Sequence, residues 1–427
     1  MKDLDNEALL QLKKAIWLYF WLIIFEGALR KWFLPVLSSP LLIIREPVAI
    51  WIIYKAWISD KIPFSGLLYG MTGIGMLAIV TALFAGHGNI FVALFGARIF
   101  LLHFPLLFII GNVFDRSDVL KVGRIVLWIS IPMAVLIAVQ FYSPQSAFVN
   151  RGVGGDIAGA GYSGAMGFLR PPATFSFING TYLFFGLAAS FILYFLIAGK
   201  GVNKLVLYAA VVCLIAAVPL SLSRSLAFHV VISMLFAFFL VLRKPENLPR
   251  VFIGAIAFTA LVAVLFNFNF FQKAYDAFLF RFATASYTEG GLKGTLGGRY
   301  VGLMVSAISD ALDQPFFGRG IGMGTNVGSM LLTGSRKFLI AEEEWGRQIG
   351  ELGALLGCSV ILLRLALSLR MAVSAYRLLK RDVLLPWMLL SFGLTMLPQG
   401  QWAQPTSLGF SVWIGGLIIA SFRSEKQ

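Results

Sequence analysis

Two arginines stand in short polar breaks of an apolar chain, at positions suited to hold an anion. Arg170 opens a Pro-, Ser- and Thr-containing segment that ends at Asn179, and Arg224 lies in the break Ser-Leu-Ser-Arg-Ser at residues 221–225. A guanidinium keeps its charge at any working pH and donates two parallel hydrogen bonds to phosphate oxygens. The alternatives are an arginine at the lipid headgroups with Asn179 capping the next helix, and snorkelling of Arg224 to lipid phosphate.

Further candidates lie in residues 272–345, the longest stretch between apolar segments. The glycines at 318, 320, 322 and 324 surround Arg319, and Arg299 follows Gly298. Glycines let a ligand approach the backbone closely, although alternate glycines alone are a weak signal. No Gly-Lys-Ser/Thr follows them, so this segment is not a P-loop.

Three consecutive glutamates precede a later apolar segment and could supply a general base: Glu342, Glu343 and Glu344. A base needs a carboxylate within hydrogen-bonding reach of a hydroxyl, and crowding of partly dry carboxylates raises a pKa toward that use. The helix N-terminus acts in the opposite direction. Glu343, Arg347 and Glu351 are spaced four apart. The alternative is therefore a salt-bridge ladder that is satisfied within the protein.

The composition predicts that membrane helices position these residues. Of the 427 residues, 59% are hydrophobic and 13% are charged, and the mean hydropathy is +0.84. A hydrocarbon layer of roughly 30 Å needs about 20 apolar residues per helix. We therefore expect an all-α polytopic membrane protein, one domain over residues 1–427, with about twelve transmembrane helices, at 15–34, 41–58, 66–84, 90–112, 120–141, 179–198, 204–221, 226–242, 251–271, 346–368, 383–399 and 406–422.

The basic residues predict the orientation of these helices. With both termini in the cytoplasm of a bacterial inner membrane, most basic clusters between helices fall on the cytoplasmic side, although Arg30 and Lys31 do not. Residues 142–178 then form one external loop and residues 272–345 a larger one. In the larger loop, the amphipathic run at 300–312 predicts a short interfacial helix.

Two other classes of site have little support in the sequence. The net charge of +15 is scattered among apolar spans and forms no basic arm, so nucleic acid is not an expected partner. The cysteines, Cys213 and Cys358, lie in separate apolar segments, and the three histidines are dispersed. We expect no metal site and no cofactor.

In order along the chain, these motifs resemble the bacterial O-antigen polymerase and ligase family. Arg170 with Thr174-Phe175 and Asn179 resembles the family's arginine, Thr-Phe and Pro-Asn stretch, and Ser223-Arg224 resembles its Ser-Arg-Gly turn. Residues 298–299 and 314–324 are similar to its Gly-Arg and His-Pro-Leu-x-Gly-x-Gly patterns, and residues 351–357 to its Glu-Leu-Gly-Leu-Leu-Gly. Where the family usually has His-Asn, this chain has Glu342-Glu343.

The resemblance implies a membrane glycosyltransferase that polymerises or ligates glycans from a polyprenyl-pyrophosphate-linked donor, without metal or nucleotide sugar. Membrane lipid and other polysaccharide-assembly proteins are further expected partners. One of Glu342, Glu343 and Glu344 would be the base, with Glu342 aligned to the family's histidine. The expected pyrophosphate- or glycan-binding residues are Arg170, Asn179, Arg224, Arg299, Arg319 and Arg347.

A secondary transporter or lipid-linked glycan flippase is the main alternative function. Such proteins also have about twelve spans and carry ionisable residues within the membrane, which here are Arg45, Glu46, Arg98 and His103. Inverted repeats would favour this class, and the sequence shows none. A non-catalytic membrane subunit of an export machine is a third class.

The orientation predicts the accessibility of residues 272–345. Cysteines introduced at Gly291 and Thr333 should react with a membrane-impermeant thiol reagent added outside the cytoplasmic membrane, because the positive loops occupy the other side. Reaction only after the inner membrane is permeabilised would reverse the orientation.

Overall fold

The computed structural model describes residues 2–159, 162–243, 260, 262–289, 291, 294, 298, 302–335 and 337–423. Helices make up 76% of the structure, and the described residues include one two-stranded antiparallel sheet. Residues 251–259 and 261 of the predicted helix 251–271 lie outside the described residues, as does Arg299, a candidate pyrophosphate-binding residue.

The first half of the chain forms a series of apolar helices. These are α1 Lys2–Ala28, α2 Arg45–Ile58, α3 Gly66–Phe84, α4 Ile90–Arg98, α5 Phe104–Val113 and α6 Arg116–Tyr142. The turns Leu29–Phe33 and Ile99–His103 are π-helical and continue α1 and α4. A hairpin of β1 Tyr162–Ala165 and β2 Phe168–Arg170 follows, with Tyr162 opposite Arg170.

The second half begins with three more helices, α7 Asn179–Ala198, α8 Lys204–Leu220 and α9 Arg224–Arg243. Helix α10 Asn269–Glu289 lies, from residue 272 onward, in the segment 272–345 that the sequence assigned to a loop, and it packs on α8 and β1. Phe271, Ala274 and Ala277 form its buried side. The chain continues as α11 Leu303–Ser309, a 3-10 turn Asp310–Asp313, α12 Asn326–Thr333, α13 Glu344–Leu379, α14 Leu385–Met396 and α15 Pro405–Ser421. Helix α11 and its 3-10 turn occupy the amphipathic run expected at 300–312.

Seven helical stretches of the described chain are long and apolar enough to cross a membrane. They are Asn6–Phe33, Gly66–Phe84, Ile90–Val113, Arg116–Tyr142, Asn179–Ala198, Arg224–Arg243 and Glu344–Leu379. The apolar helices α8, α14 and α15 are shorter, at 17, 12 and 17 residues, and α2 has 14 residues. The structure therefore has the apolar helices of a membrane protein, and seven of them meet the length of a full span.

The segment after Arg170 is fixed against α1. The Lys31 ammonium donates to the Ala173 carbonyl over 2.6 Å, and the Thr174 hydroxyl donates to the Ile24 carbonyl over 2.7 Å. Gly27 permits this approach, because a Cβ there would overlap backbone atoms of residues 174–176. Arg30 and Lys31, the exceptions to the basic-residue pattern, are thus buried and hydrogen-bonded within the protein.

The candidate residues gather at one end of the helix bundle. Hydrogen bonds join Gln401 to Glu342, Asn179 to Gln404, and His87 to Ile321 at that end. The N-termini of α7, α13 and α15 therefore lie close together. The opposite end of the bundle carries other polar contacts, among them Lys13 with Asp118, Arg116 with Ser421, and Arg423 with Asn112.

Candidate functional site

Three arginines from three separate elements lie close together beside the hairpin. Arg170 ends β2, Arg224 begins α9, and Arg281 lies on α10. Gly164 of β1 joins these elements. Its carbonyl accepts a hydrogen bond of 3.2 Å from the Arg281 Nη1, and a Cβ on Gly164 would lie 3.4 Å from the Arg170 Cγ and would overlap Leu222. The arrangement brings together the two arginines that the sequence singled out, Arg170 and Arg224, and adds a third.

The turn before Arg224 explains how that residue is placed. The Ser221 hydroxyl accepts from the Ser223 N–H, and the Ser223 hydroxyl accepts from the Leu226 N–H, each over 3.3 Å. Leu222 has a φ of +48°, a conformation that costs a bulky residue free energy and that is often found near functional sites. Arg224 is consequently the first residue of α9, where the helix dipole favours an anion over a cation.

The positive charges of this cluster repel one another. Burial, together with the positive charges of Arg281 and Arg224, lowers the pKa of Arg170 to about 10, and burial and Arg224 lower the pKa of Arg281. The Arg170 Nε is buried, and no described residue accepts a hydrogen bond from it. Within the described ranges, neither Arg170 nor Arg281 is paired with a carboxylate. An anion with several oxygens would satisfy these donors and reduce their repulsion.

A second group of charges lies at the N-terminus of α13. The Glu344 carboxylate is 4% exposed and accepts hydrogen bonds from Arg347, Gln348 and Arg364 at 2.9, 2.9 and 2.7 Å. Arg347 also donates to Glu351 over 2.6 Å. Arg347 is therefore engaged in a ladder of buried salt bridges, and Glu344 is its central acceptor. The spacing in the sequence predicted a ladder through Glu343 and Glu351, and in the structure Glu344 takes the place of Glu343.

The glycine-rich segment before α13 packs against the protein's own backbone. The Arg319 and Gly320 N–H groups donate to the carbonyls of Gly350 and Glu351 over 2.8 and 2.9 Å. Gly318, Gly320 and Gly322 have φ values of +71°, +107° and +90°, and a Cβ at Gly318 would overlap Glu351. The sequence suggested that a ligand approaches these glycines. In the structure they pack against α13 at its kink, where Gly353 has a φ of +78°.

A cleft of about 330 Å³ borders this kinked helix and contains two of the candidate residues. Glu343 and Arg319 line it together with Ser306, Asp310 and Gln314. Burial and the neighbouring Glu342 carboxylate raise the pKa of Glu343. The Glu343 carboxylate lies over Gly346, where a Cβ would overlap it. Of the three glutamates, Glu343 is the one that lines the cleft.

A chain of side-chain amides connects α7 with the glutamates. The Asn179 Nδ2 donates to the Gln404 Oε1, the Gln404 Nε2 donates to the Gln401 Oε1 over 2.7 Å, and the Gln401 Nε2 donates to the Glu342 carbonyl over 3.2 Å. Glu342 itself is exposed. Asn179 is the first residue of α7 and bonds Gln404 instead of capping its own helix.

Residues considered for transport form a separate buried cluster. Glu46 binds Arg98 and lies 3.5 Å from the His103 Nε2, and the His103 Nδ1 is 2.9 Å from the Tyr19 hydroxyl. Arg45 pairs with Glu26 over 3.1 Å. These contacts hold α1, α2 and the turn between α4 and α5 together. No metal-binding group of His, Cys, Asp and Glu occurs among the described residues.

Sequence reasoning missed Arg281 and Arg364. Arg281 lies in a segment assigned to a loop, where the apolar residues Phe271, Ala274 and Ala277, spaced three apart, were a sequence signal for a helix. Arg364 is an isolated arginine within an apolar stretch, a position that is costly unless the charge is paired. That rule could have predicted a buried carboxylate partner for Arg364.

Comparisons of the chain with protein-family models, curated proteins and solved structures gave no match. The resemblance noted in the sequence has no independent support from them. The function is accordingly inferred from the site residues and their contacts.

The salt-bridge ladder predicts different roles for adjacent glutamates. Glu344→Gln should destabilise the protein by about 3–5 kcal/mol, because it leaves Arg364 and Arg347 buried without their shared charge partner. Glu342→Gln, at an exposed side chain, is the matched control and should leave the protein as stable as wild type. Thermal unfolding of the purified variants in detergent measures both, and equal melting temperatures for all three proteins would contradict the assigned ladder.

Proposed function

We propose that the protein is a membrane glycosyltransferase of surface-polysaccharide assembly that takes its glycan from a polyprenyl-pyrophosphate donor. The observation that carries this proposal is the cluster of Arg170, Arg224 and Arg281, in which two guanidiniums lack a described carboxylate partner. The motif resemblance supports the same class of donor. A secondary transporter or flippase remains the second candidate, favoured by the buried cluster of Arg45, Glu46, Arg98 and His103.

The arginine cluster suits the leaving group of this reaction. As the bond between the anomeric carbon and the phosphate oxygen breaks, its electron pair stays on the pyrophosphate, whose negative charge grows. Guanidiniums that are already oriented stabilise this charge without reorganising during the step. Their mutual repulsion is also relieved when the anion is bound. The cluster therefore contributes most where the transition state develops charge.

Glu343 is the proposed general base. It would accept the proton of an acceptor hydroxyl while the hydroxyl oxygen forms the new bond to the anomeric carbon. The sequence favoured Glu342 by alignment, but Glu343 lines the cleft and has the raised pKa, whereas Glu344 is held by Arg347 and Arg364. A base with a raised pKa binds a proton more readily in the transition state.

The proposed orientation puts this site outside the cytoplasmic membrane of a bacterium, with both termini in the cytoplasm. Lys13, Arg116 and Arg423 lie at the end of the bundle opposite the site, which agrees with the preference of basic residues for the cytoplasmic side. A lipid-linked glycan or a lipid core would be the acceptor, and other assembly proteins would supply the donor.

The arginine cluster predicts that donor binding needs the forked guanidinium. Arg170→Lys, Arg224→Lys and Arg281→Lys should each weaken binding of a polyprenyl pyrophosphate by about tenfold, because lysine keeps the charge but loses one of the paired hydrogen bonds. Arg124→Lys, at an exposed arginine of α6, is the matched control. Binding of the lipid to purified protein in detergent measures the effect.

Full affinity in all three cluster variants would contradict the proposed pyrophosphate site. Movement of a lipid-linked glycan across proteoliposomes without formation of any glycosidic bond would favour the flippase instead.

The proposed role of Glu343 as general base predicts how glycan transfer depends on pH. Glu343→Gln should lower kcat by about 100-fold to 10,000-fold while donor affinity is retained. The base works deprotonated, so activity falls as the pH drops through the pKa of Glu343. Glu342→Gln removes a like charge, lowers that pKa and should shift the acidic limb of the kcat profile to lower pH without abolishing transfer. An unshifted profile, or full activity of Glu343→Gln, would reject this assignment.

A further inference from the structure

We propose that the cleft beside α13 binds an uncharged or amino sugar of the acceptor glycan, and that Asp310 selects against acidic sugars. This inference rests on the proposed glycan transfer and adds the chemical class of the acceptor. It is carried by the size, the lining and the charge of the cleft.

The size and lining of the cleft suit a sugar ring. Its volume of about 330 Å³ lies at the small end of the range of ligand sites, about 300–1,000 Å³. Ser306, Asp310, Gln314, Arg319 and Glu343 supply a hydroxyl, an amide, a guanidinium and two carboxylates. These groups both donate and accept hydrogen bonds, which is what neighbouring sugar hydroxyls require. Ala307 and Ile349 also line the cleft, are buried, and add apolar surface suited to the C–H face of the ring.

Two of the polar lining residues have hydrogen-bonding capacity left for a ligand. The Asp310 Oδ1 accepts from the Ser309 hydroxyl over 2.9 Å, whereas the Oδ2 has no bond within the described chain. The Arg319 backbone is fixed to Gly350, and its guanidinium forms no hydrogen bond or ion pair with the described residues. The backbone at Arg319 is therefore held in place, and both side chains keep hydrogen-bonding groups that a sugar could use.

The charge of the cleft determines which sugar it accepts. Its described lining carries two carboxylates, Asp310 and Glu343, and one guanidinium, Arg319. An amino sugar gains from this excess of negative charge, an uncharged sugar is tolerated, and a uronic acid places a third carboxylate beside the first two. Because Glu343 lines the same cleft, the sugar bound here is the acceptor whose hydroxyl loses its proton.

The test measures sugar binding directly, without any donor. Saturation-transfer NMR on the purified full chain compares the methyl glycosides of glucosamine, glucose and glucuronic acid at neutral pH. We expect binding in that order, with glucosaminide about fivefold tighter than glucuronide, because a partly exposed charge pair contributes up to about 1 kcal/mol. Asp310→Asn should reduce this preference, and Asp310→Glu should retain it.

Asp313→Asn is the matched control, because Asp313 lies in the same 3-10 turn but does not line the cleft. Its preference should equal that of wild type. Equal or tighter binding of the glucuronide, or an Asp310→Asn variant with the wild-type order, overturns this proposal. Polyprenyl pyrophosphate binding is measured on the same preparations. If the wild-type protein does not bind polyprenyl pyrophosphate but binds the three glycosides in the expected order, the proposed donor is contradicted and the sugar site is supported.

Discussion

A charge buried among apolar helices must be paired within the protein or neutralised by a ligand, and this constraint organises the whole molecule. Where the pairing is internal, it joins helices. Glu344 binds Arg347 and Arg364, and thereby ties both ends of the kink at Gly353 to the segment before α15. Glu46 with Arg98, and Glu26 with Arg45, do the same for the first helices.

The arginine cluster is where internal pairing is incomplete. Arg170 and Arg281 repel each other across the hairpin, and no residue in the described part of the chain accepts from the buried Nε of Arg170. The fold maintains this arrangement in spite of the repulsion between the guanidiniums. Helix α1 holds the segment after Arg170 through Lys31 and Thr174, and the Gly164 carbonyl holds Arg281. Such an arrangement is expected of a site that binds an anionic ligand, and it underlies the proposed pyrophosphate donor.

The sequence predicted the features that local pattern determines. The described apolar segments are helices, and the polar break at residues 221–225 is the turn at which α9 begins. The sequence did not predict which residues from distant segments pair with one another. Arg281 joins the cluster only because α10 packs on β1, and Arg364 meets Glu344 because α13 is kinked between them.

Adjacent glutamates show the same limit of sequence reasoning. Glu342, Glu343 and Glu344 are chemically identical, and their spacing cannot say which carboxylate faces a cleft. Packing separates them into an exposed side chain, a cleft residue and a buried salt-bridge partner. The alternating glycines suggested close approach of a ligand, and in the structure the backbone that approaches them is that of α13.

A cryo-EM map of the protein saturated with a polyprenyl pyrophosphate tests the central claim most directly. The account predicts diphosphate density bounded by the guanidiniums of Arg170, Arg224 and Arg281, beside the hairpin at Gly164. Diphosphate density inside the bundle near Arg45 and Arg98, or no bound lipid at saturating concentration, would contradict it.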